Sequence, residues 1–253
     1  MTRIDIEDLS SLANEYRRKI GEDITSPIDI FKIARSLDDL TLVFKEFSDN
    51  ISGIFSRVKD ASVIAINSNM TMGRQAFSMA HELYHKEYDE TIQSGGTVVC
   101  AKAIGSGDEN EKKADIFASY LLMPKDSLYQ KLKEHGNLDG NIEIEDVIYL
   151  EQYYGVSHQA MLFRLLKDKR ITETQRTILS KNVIKTARSL GYGTYLYEPC
   201  PFLTEKMYGR YINLSNKLYK EGALSESKYE ELLKDAGLDN IINNGDEGEQ
   251  RID

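Results

Sequence analysis

Apolar residues recur along the chain in two rhythms. Leu9, Leu12, Ala13, Tyr16 and Ile20 follow the three-to-four-residue spacing of an amphipathic helix, which Gly21 ends. Ser26-Pro27-Ile28-Asp29 reads as a second helix start, with Ser26 as N-cap and Pro27 at the first helical position, running to about Leu37. Residues 41–47, 51–57 and 62–67 are short runs rich in β-branched and aromatic residues. Ser48-Asp49-Asn50 and Lys59-Asp60 between them suit hairpin turns. A small, largely antiparallel sheet is predicted.

Helical periodicity returns over residues 72–86, with Ala76, Met79, Ala80 and Leu83 on the apolar side. A Gly- and Ser-rich loop covers about 89–108. Ser106-Gly107-Asp108-Glu109 then has the form of a capping box, and its helix ends before Pro124. Beyond this the chain reads as helices at 126–134, 144–154, 157–167, 173–190, 204–220 and 227–234, with an irregular break at 191–201. The fold class is α+β: a core over 1–170, then a helical C-terminal extension over 171–242. The polar tail, 243–253, is expected to be disordered.

Composition narrows the classes. Of 253 residues, 41% are apolar and 29% charged, as in a globular protein with a substantial core. The net charge of -9 argues against a surface that grips nucleic acid, so direct binding to it is not expected. No apolar run approaches the roughly 20 residues that span a bilayer. The first twelve residues lack the apolar core of a secretion signal. Cys100 and Cys200 make no disulfide framework. The expected compartment is the cytoplasm.

The candidate chemistry lies in His81-Glu82-Leu83-Tyr84-His85. Residues four apart share a helix face, so both imidazoles can reach one metal ion. Glu82 falls beside the metal, where a carboxylate can take a proton from an attacking water; this is the HExxH arrangement of zinc peptidases. On the next helix Glu111, Ala114, Asp115 and Ala118 share a face. Two alanines allow close approach, so Glu111 can be the third ligand, leaving a fourth position open. Asp115, one turn on, can accept the second ring N–H of a ligand histidine. One zinc per chain is expected. An edge strand of the sheet can pair with an extended substrate beside the metal; residues 62–67 lead directly into the metal helix.

Other residues receive plainer readings. Arg74 is weighed as a group that binds a substrate carbonyl or carboxylate, with a surface salt bridge the expected role, and His135 is expected as a favourable charge at a helix C-terminus. His158, Tyr149, Tyr153 and Tyr154 are placed near enough in sequence to be weighed as oxyanion donors, with packing the expected role. Cys100 falls in the loop between the ligand helices, where a thiolate can occupy an open zinc position, but a lone loop cysteine is expected to be only that. Helices at about 142–168 have a helix-turn-helix-like turn at Tyr154-Gly155-Val156-Ser157. The presumed recognition helix carries Met, Leu and Phe with only Arg164 and Lys167 as cations, which points to packing rather than groove reading.

The run from Gln75 to His85, together with Glu111-Lys112-Lys113-Ala114-Asp115-Ile116-Phe117-Ala118-Ser119-Tyr120-Leu121-Leu122-Met123-Pro124, resembles the ImmA/IrrE family of bacterial metallopeptidases. The pattern E-x-x-A-x-x-F-A-x-x-L-L-M-P is matched almost letter for letter. Val156-Ser157 with Arg164-Leu165 is similar to the family's following helical element. The resemblance covers about residues 5–170. It implies a zincin-like core of the gluzincin type, zinc at His81, His85 and Glu111, and Glu82 as catalytic base. It also implies a role: site-specific cleavage of an XRE-type helix-turn-helix repressor, relieving repression of a prophage, mobile element or stress locus. Tyr84 departs from the family's usual Gly, but it points away from the ligand face. The rival expectation is a regulator that keeps the fold and binds DNA or a repressor without cutting.

Overall fold

The computed structural model describes residues 5–101, 103–135, 141–199 and 206–238. In chain order the elements are α1 (Ile6–Lys19), α2 (Ile30–Ser36), β1 (Leu40–Lys45), β2 (Ile51–Val58), β3 (Ala61–Asn67), α3 (Met72–Tyr88), β4 (Gly96–Ala101), α4 (Glu109–Leu122), α5 (Lys125–Glu134), α6 (Ile144–Tyr154), α7 (His158–Lys167), α8 (Glu173–Leu179), α9 (Val183–Ser189), β5 (Lys206–Gly209), α10 (Arg210–Lys220) and α11 (Glu226–Asp235). The tail at 243–253 and Cys200 lie outside the described residues.

The strands form one sheet in the order β4-β2-β3-β1-β5. Every pairing is antiparallel except β1 with β3, which is parallel. The Lys59-Asp60 hairpin forms as expected, with Lys59 in the left-handed region at φ 53. Ser48-Asp49-Asn50 makes no hairpin; it carries the chain across the end of β3, so that β1 and β2 lie on opposite sides of it. Asn67 explains this crossover. Fully buried at the end of β3, its amide donates to the carbonyls of Phe47, Ser48 and Ile51 and accepts from the Phe47 N–H. The strand that leads into α3 is therefore central, not an edge.

Local signals place most helix ends. Asp29, not Ser26, caps α2, accepting from Phe31 N and Lys32 N at 3.1 and 3.0 Å. Ser26 is held outside the helix because its carbonyl accepts from Arg17 at 2.9 Å. Likewise Asp108 rather than Ser106 caps α4, accepting from Glu111 N at 3.0 Å. The helix expected over 173–190 breaks between α8 and α9, where Asn182 takes φ 59. The buried His158 ring, 3.0 Å from the Leu179 carbonyl, holds the end of α8 there. The helix expected over 204–220 starts only at Arg210; residues 206–209 instead extend the sheet beside β1.

Packing brings α3 and α4 side by side, with α1 against α4. Ala114 and Ala118 are fully buried, and Tyr16, Tyr84, Tyr88 and Phe117 form an aromatic cluster at this junction with centroids 5.3–6.3 Å apart. Tyr84 thus belongs to the core. Two buried guanidiniums fix the C-terminal end of α4: Arg17 donates to Leu121 O at 2.7 Å, and Arg164 to Ser119 O at 3.0 Å and to Met123 O. Cations there also oppose the negative end of the helix dipole. Arg164 is therefore spoken for, and α7 buries His158, Met161, Leu162, Phe163 and Leu165 as well. It is a core helix, as its composition predicts. Gly73 lets the start of α3 meet the α6–α7 turn; a β-carbon there would lie 2.6 Å from Ser157 N. Among the described residues, no helix is long and apolar enough to cross a membrane.

Candidate metal centre

His81 and His85 project from one face of α3, and Glu111 reaches them from the first turn of α4. The His81 and His85 Nε2 atoms lie 3.2 Å apart. The Glu111 carboxylate is 3.2 Å from His85 Nε2 and 3.5 Å from His81 Nε2. Each ring is oriented from behind. His81 Nδ1 donates to Asp115 Oδ1, and His85 Nδ1 donates to Asp89 Oδ2, both at 2.8 Å. Asp115 also accepts from Gly105 N, while Asp89 accepts from Thr91 and from Asn110 at 3.1 Å. With both Nδ1 atoms donating, both Nε2 lone pairs face each other and a carboxylate. That is a cluster of acceptors, which only a cation or protons can reconcile.

The protonation equilibria carry the same signature. Burial would lower the His81 pKa, but the hydrogen bonds and charges of Asp115 and Glu111 overcome it and push it up to about 10. His85 is displaced upward in the same way, against burial, by Glu111, Glu82 and Asp89. Burial would raise Glu111, yet its two histidine partners hold it well below the usual carboxylate range.

Glu82 is fully buried beside these donors. Its Oε1 has no partner among the described residues, and its Oε2 lies 3.3 Å from Cys100 Sγ. Burial pushes its pKa up. Gly53 of β2 makes the room for this carboxylate: a β-carbon there would fall on Oε1 and 3.1 Å from Cδ. Gly53→Ala should therefore leave metal content intact while cutting turnover by roughly 10²-fold, the usual scale for a reacting group displaced by about 1 Å. Turnover and metal content measured on one preparation check this; unchanged turnover would show that Glu82 does not depend on the contact.

Three members of this site differ from the sequence reading, which did not name Asp89 and gave Cys100 and Arg74 plainer roles than their places here. Asp89 was findable, since it stands four residues after His85 on the line of α3. Cys100 lies on β4, a strand inside the segment expected to be loop, and its buried side chain enters the donor cluster. Burial, with Glu82 and Glu111 nearby, pushes its thiol pKa up. Arg74 is buried rather than in a surface salt bridge; its Nη2 donates to Ala101 O at 3.4 Å, and its Nε and Nη1 have no partner among the described residues. Burial lowers its pKa, opposed by Asp115, Glu82 and Cys100. The remaining candidates are engaged elsewhere. His135 caps α5, stacks on Tyr149 and contacts Asp146 at 2.6 Å; Tyr153 packs against Tyr149 and Lys131; Tyr154 bonds Ser127; and His158 lies 2.9 Å from Glu151.

The donor set fits a zinc-like ion. Ligand arms of about 2.0–2.1 Å in tetrahedral geometry put neighbouring donor atoms about 3.3–3.4 Å apart; the two Nε2 atoms are 3.2 Å apart, and Glu111 offers Oε1 to His85 at 3.2 Å and Oε2 to His81 at 3.5 Å. Residues 38–166, just over half of the 253, match the family profile described as the IrrE N-terminal-like domain of peptidase family M78. The chain belongs to the M78 metallopeptidases. The matched span runs from just before β1 through α7, so this M78 domain contains β1–β4 and both helices of the metal centre. No curated protein matches the chain.

Proposed function

We propose that this M78 protein is a zinc-dependent endopeptidase, with zinc held by His81, His85 and Glu111 and with Glu82 as the general base. The observation that carries the reading is the convergence of two Nε2 lone pairs and one carboxylate, each histidine backed by its own aspartate. A bound zinc ion would supply a Lewis acid that polarises the scissile carbonyl and acidifies the attacking water. Glu82 takes the proton of that water and passes it to the leaving amine; a carboxyl group raised by burial is suited to both steps. Asp115 and Asp89 hold the imidazoles in the tautomer that leaves Nε2 free. The sheet edge at β4 runs past the site, and an extended peptide can add to it as a further strand.

Asp115→Ala and Asp89→Ala should each weaken metal binding by roughly 10- to 100-fold. Competition with a graded series of chelators measures this, and unchanged affinity would reassign that aspartate to packing.

The proposed substrate is an XRE-type helix-turn-helix repressor, met in the cytoplasm. Three considerations support this. The sequence resembles a family with that role, the net charge of -9 suits a basic DNA-binding partner, and the elements beyond Pro124 offer surface for docking a folded protein. Cleavage falls in an exposed or linker segment, because only an extended strand fits beside β4. The test is to incubate the purified protein with the helix-turn-helix repressor encoded beside its gene, and separately with casein. A single chelator-sensitive cut in the repressor alone is expected. Indiscriminate casein digestion, or no cut in the repressor under inducing conditions, would overturn the substrate assignment.

A further inference from the structure

Cys100 is not placed like an ordinary buried cysteine. Its sulfur is surrounded by polar groups of the metal centre: it lies 3.3 Å from Glu82 Oε2 and 3.7 Å from Glu111 Oε1. The donor atoms of His81, His85, Cys100 and Glu111 all lie within 4.8 Å of one another. In a tetrahedral site with a zinc–sulfur arm of about 2.3 Å, sulfur sits about 3.6 Å from a neighbouring oxygen ligand. The sulfur–oxygen separation of 3.7 Å is already close to that value.

The base gives an independent indication. Glu82 is fully buried, its Oε1 is unpartnered, and the one contact made by its Oε2 among the described residues is the Cys100 sulfur. A general base must face the attacking water within hydrogen-bond reach. Here the sulfur takes up Oε2, so a water facing that oxygen has to displace it.

We propose that Cys100 is the fourth metal ligand of the resting enzyme, closing the position the nucleophilic water needs, and that the site opens when β4 carries the sulfur away. The proposal rests on the metal-centre assignment above. As the sulfur binds, the thiol proton passes to Glu82, which it already faces; as the sulfur leaves, the proton returns to it. The fold supplies the moving part. Among the described residues β4 is an edge strand paired only with β2, and the pairing slips in register between Ile51 and Gly53, opposite Cys100. Ser52, the extra residue, ties that stretch through its hydroxyl to Ala101 O at 3.0 Å. A peptide that adds to the free edge of β4 pulls on the very strand that carries the ligand, so substrate pairing and opening are coupled.

The experiment is cobalt substitution of the full chain, as wild type, Cys100→Ser, Cys100→Ala and Cys200→Ser, with bound cobalt quantified by elemental analysis. Wild type and Cys200→Ser should show a near-ultraviolet sulfur-to-cobalt charge-transfer band. Both Cys100 variants should lack it, keep visible cobalt bands, bind metal at least about 10-fold more weakly and cleave substrate several-fold faster when metal is saturating. Stoichiometric cobalt in the wild type without the charge-transfer band would overturn the role of Cys100 and leave the three-ligand reading standing. No bound cobalt in any form would overturn both. Unchanged or lost turnover in both Cys100 variants with metal bound would overturn the closing role.

Discussion

Glu82→Gln should fold, retain its metal and lose proteolysis by about 10²- to 10⁴-fold, the usual contribution of a general acid–base group. The substitution keeps the shape that fits against Gly53, so the fold has no new volume to absorb. It also removes a carboxylate whose charged form burial disfavours, so stability should hold or rise. Neither histidine depends on Glu82 for its orientation, because their Nδ1 atoms are held by Asp115 and Asp89. What the amide cannot do is accept a proton. Turnover on the proposed repressor substrate, with elemental analysis of the same preparation, separates the outcomes. Wild-type turnover in a metal-loaded variant would move the chemistry to another residue.

His81→Ala/His85→Ala should lose stoichiometric metal and, with it, all chelator-sensitive cleavage. Both imidazoles disappear, and Glu111 with the Cys100 sulfur does not hold the ion stoichiometrically. Retained stoichiometric metal would sink the site assignment. The pH dependence gives a second check with a definite sign. The His81 pKa rises from 6.5 to about 10 before metal binds, so at neutral pH a metal must displace a proton. Uptake should therefore release protons, and affinity should increase as pH is raised from 6 towards 9. A raised pKa in the folded state also means that, in chelator-treated protein, the stabilisation from this group is fully present below 6.5 and is lost as pH rises through about 10. The double alanine variant should lose this loss: its melting temperature should fall less between pH 6.5 and 10 than that of chelator-treated wild type. Equal slopes would show that the imidazoles do not carry the effect.

The candidate site was readable because it is written at helical spacing. His81 and His85 stand four apart, Glu111 and Asp115 stand four apart, and each pair lies on a helix whose periodicity and ends are set by nearby residues. The same locality explains the accurate limits of α6, which spans Ile144–Tyr154, and of the hairpin at Lys59-Asp60. Where a local signal was ambiguous, tertiary partners decided it. Ser26 and Asp29 both read as N-caps, and the hydrogen bond from buried Arg17 to Ser26 O settles the start of α2 on Asp29.

Strand order is a different kind of information. β4 and β5, Gly96–Ala101 and Lys206–Gly209, are set by partners that lie about forty and well over a hundred residues away in sequence. Nothing within a few positions of Ser48 says that Asn67 will seize the loop and send β2 to the far side of β3. For the same reason Cys100 reads as a loop cysteine until β4 is laid against β2, and Gly53 as an ordinary strand residue until Glu82 needs its space. The sequence alone determined the two helices that carry His81, His85 and Glu111 and the family to which the chain belongs, because those depend on contacts one helical turn away. Only the tertiary structure decided which strand forms the edge, which aspartate backs His85 and which sulfur faces the base, because those depend on packing between segments that the chain's local preferences do not bring together.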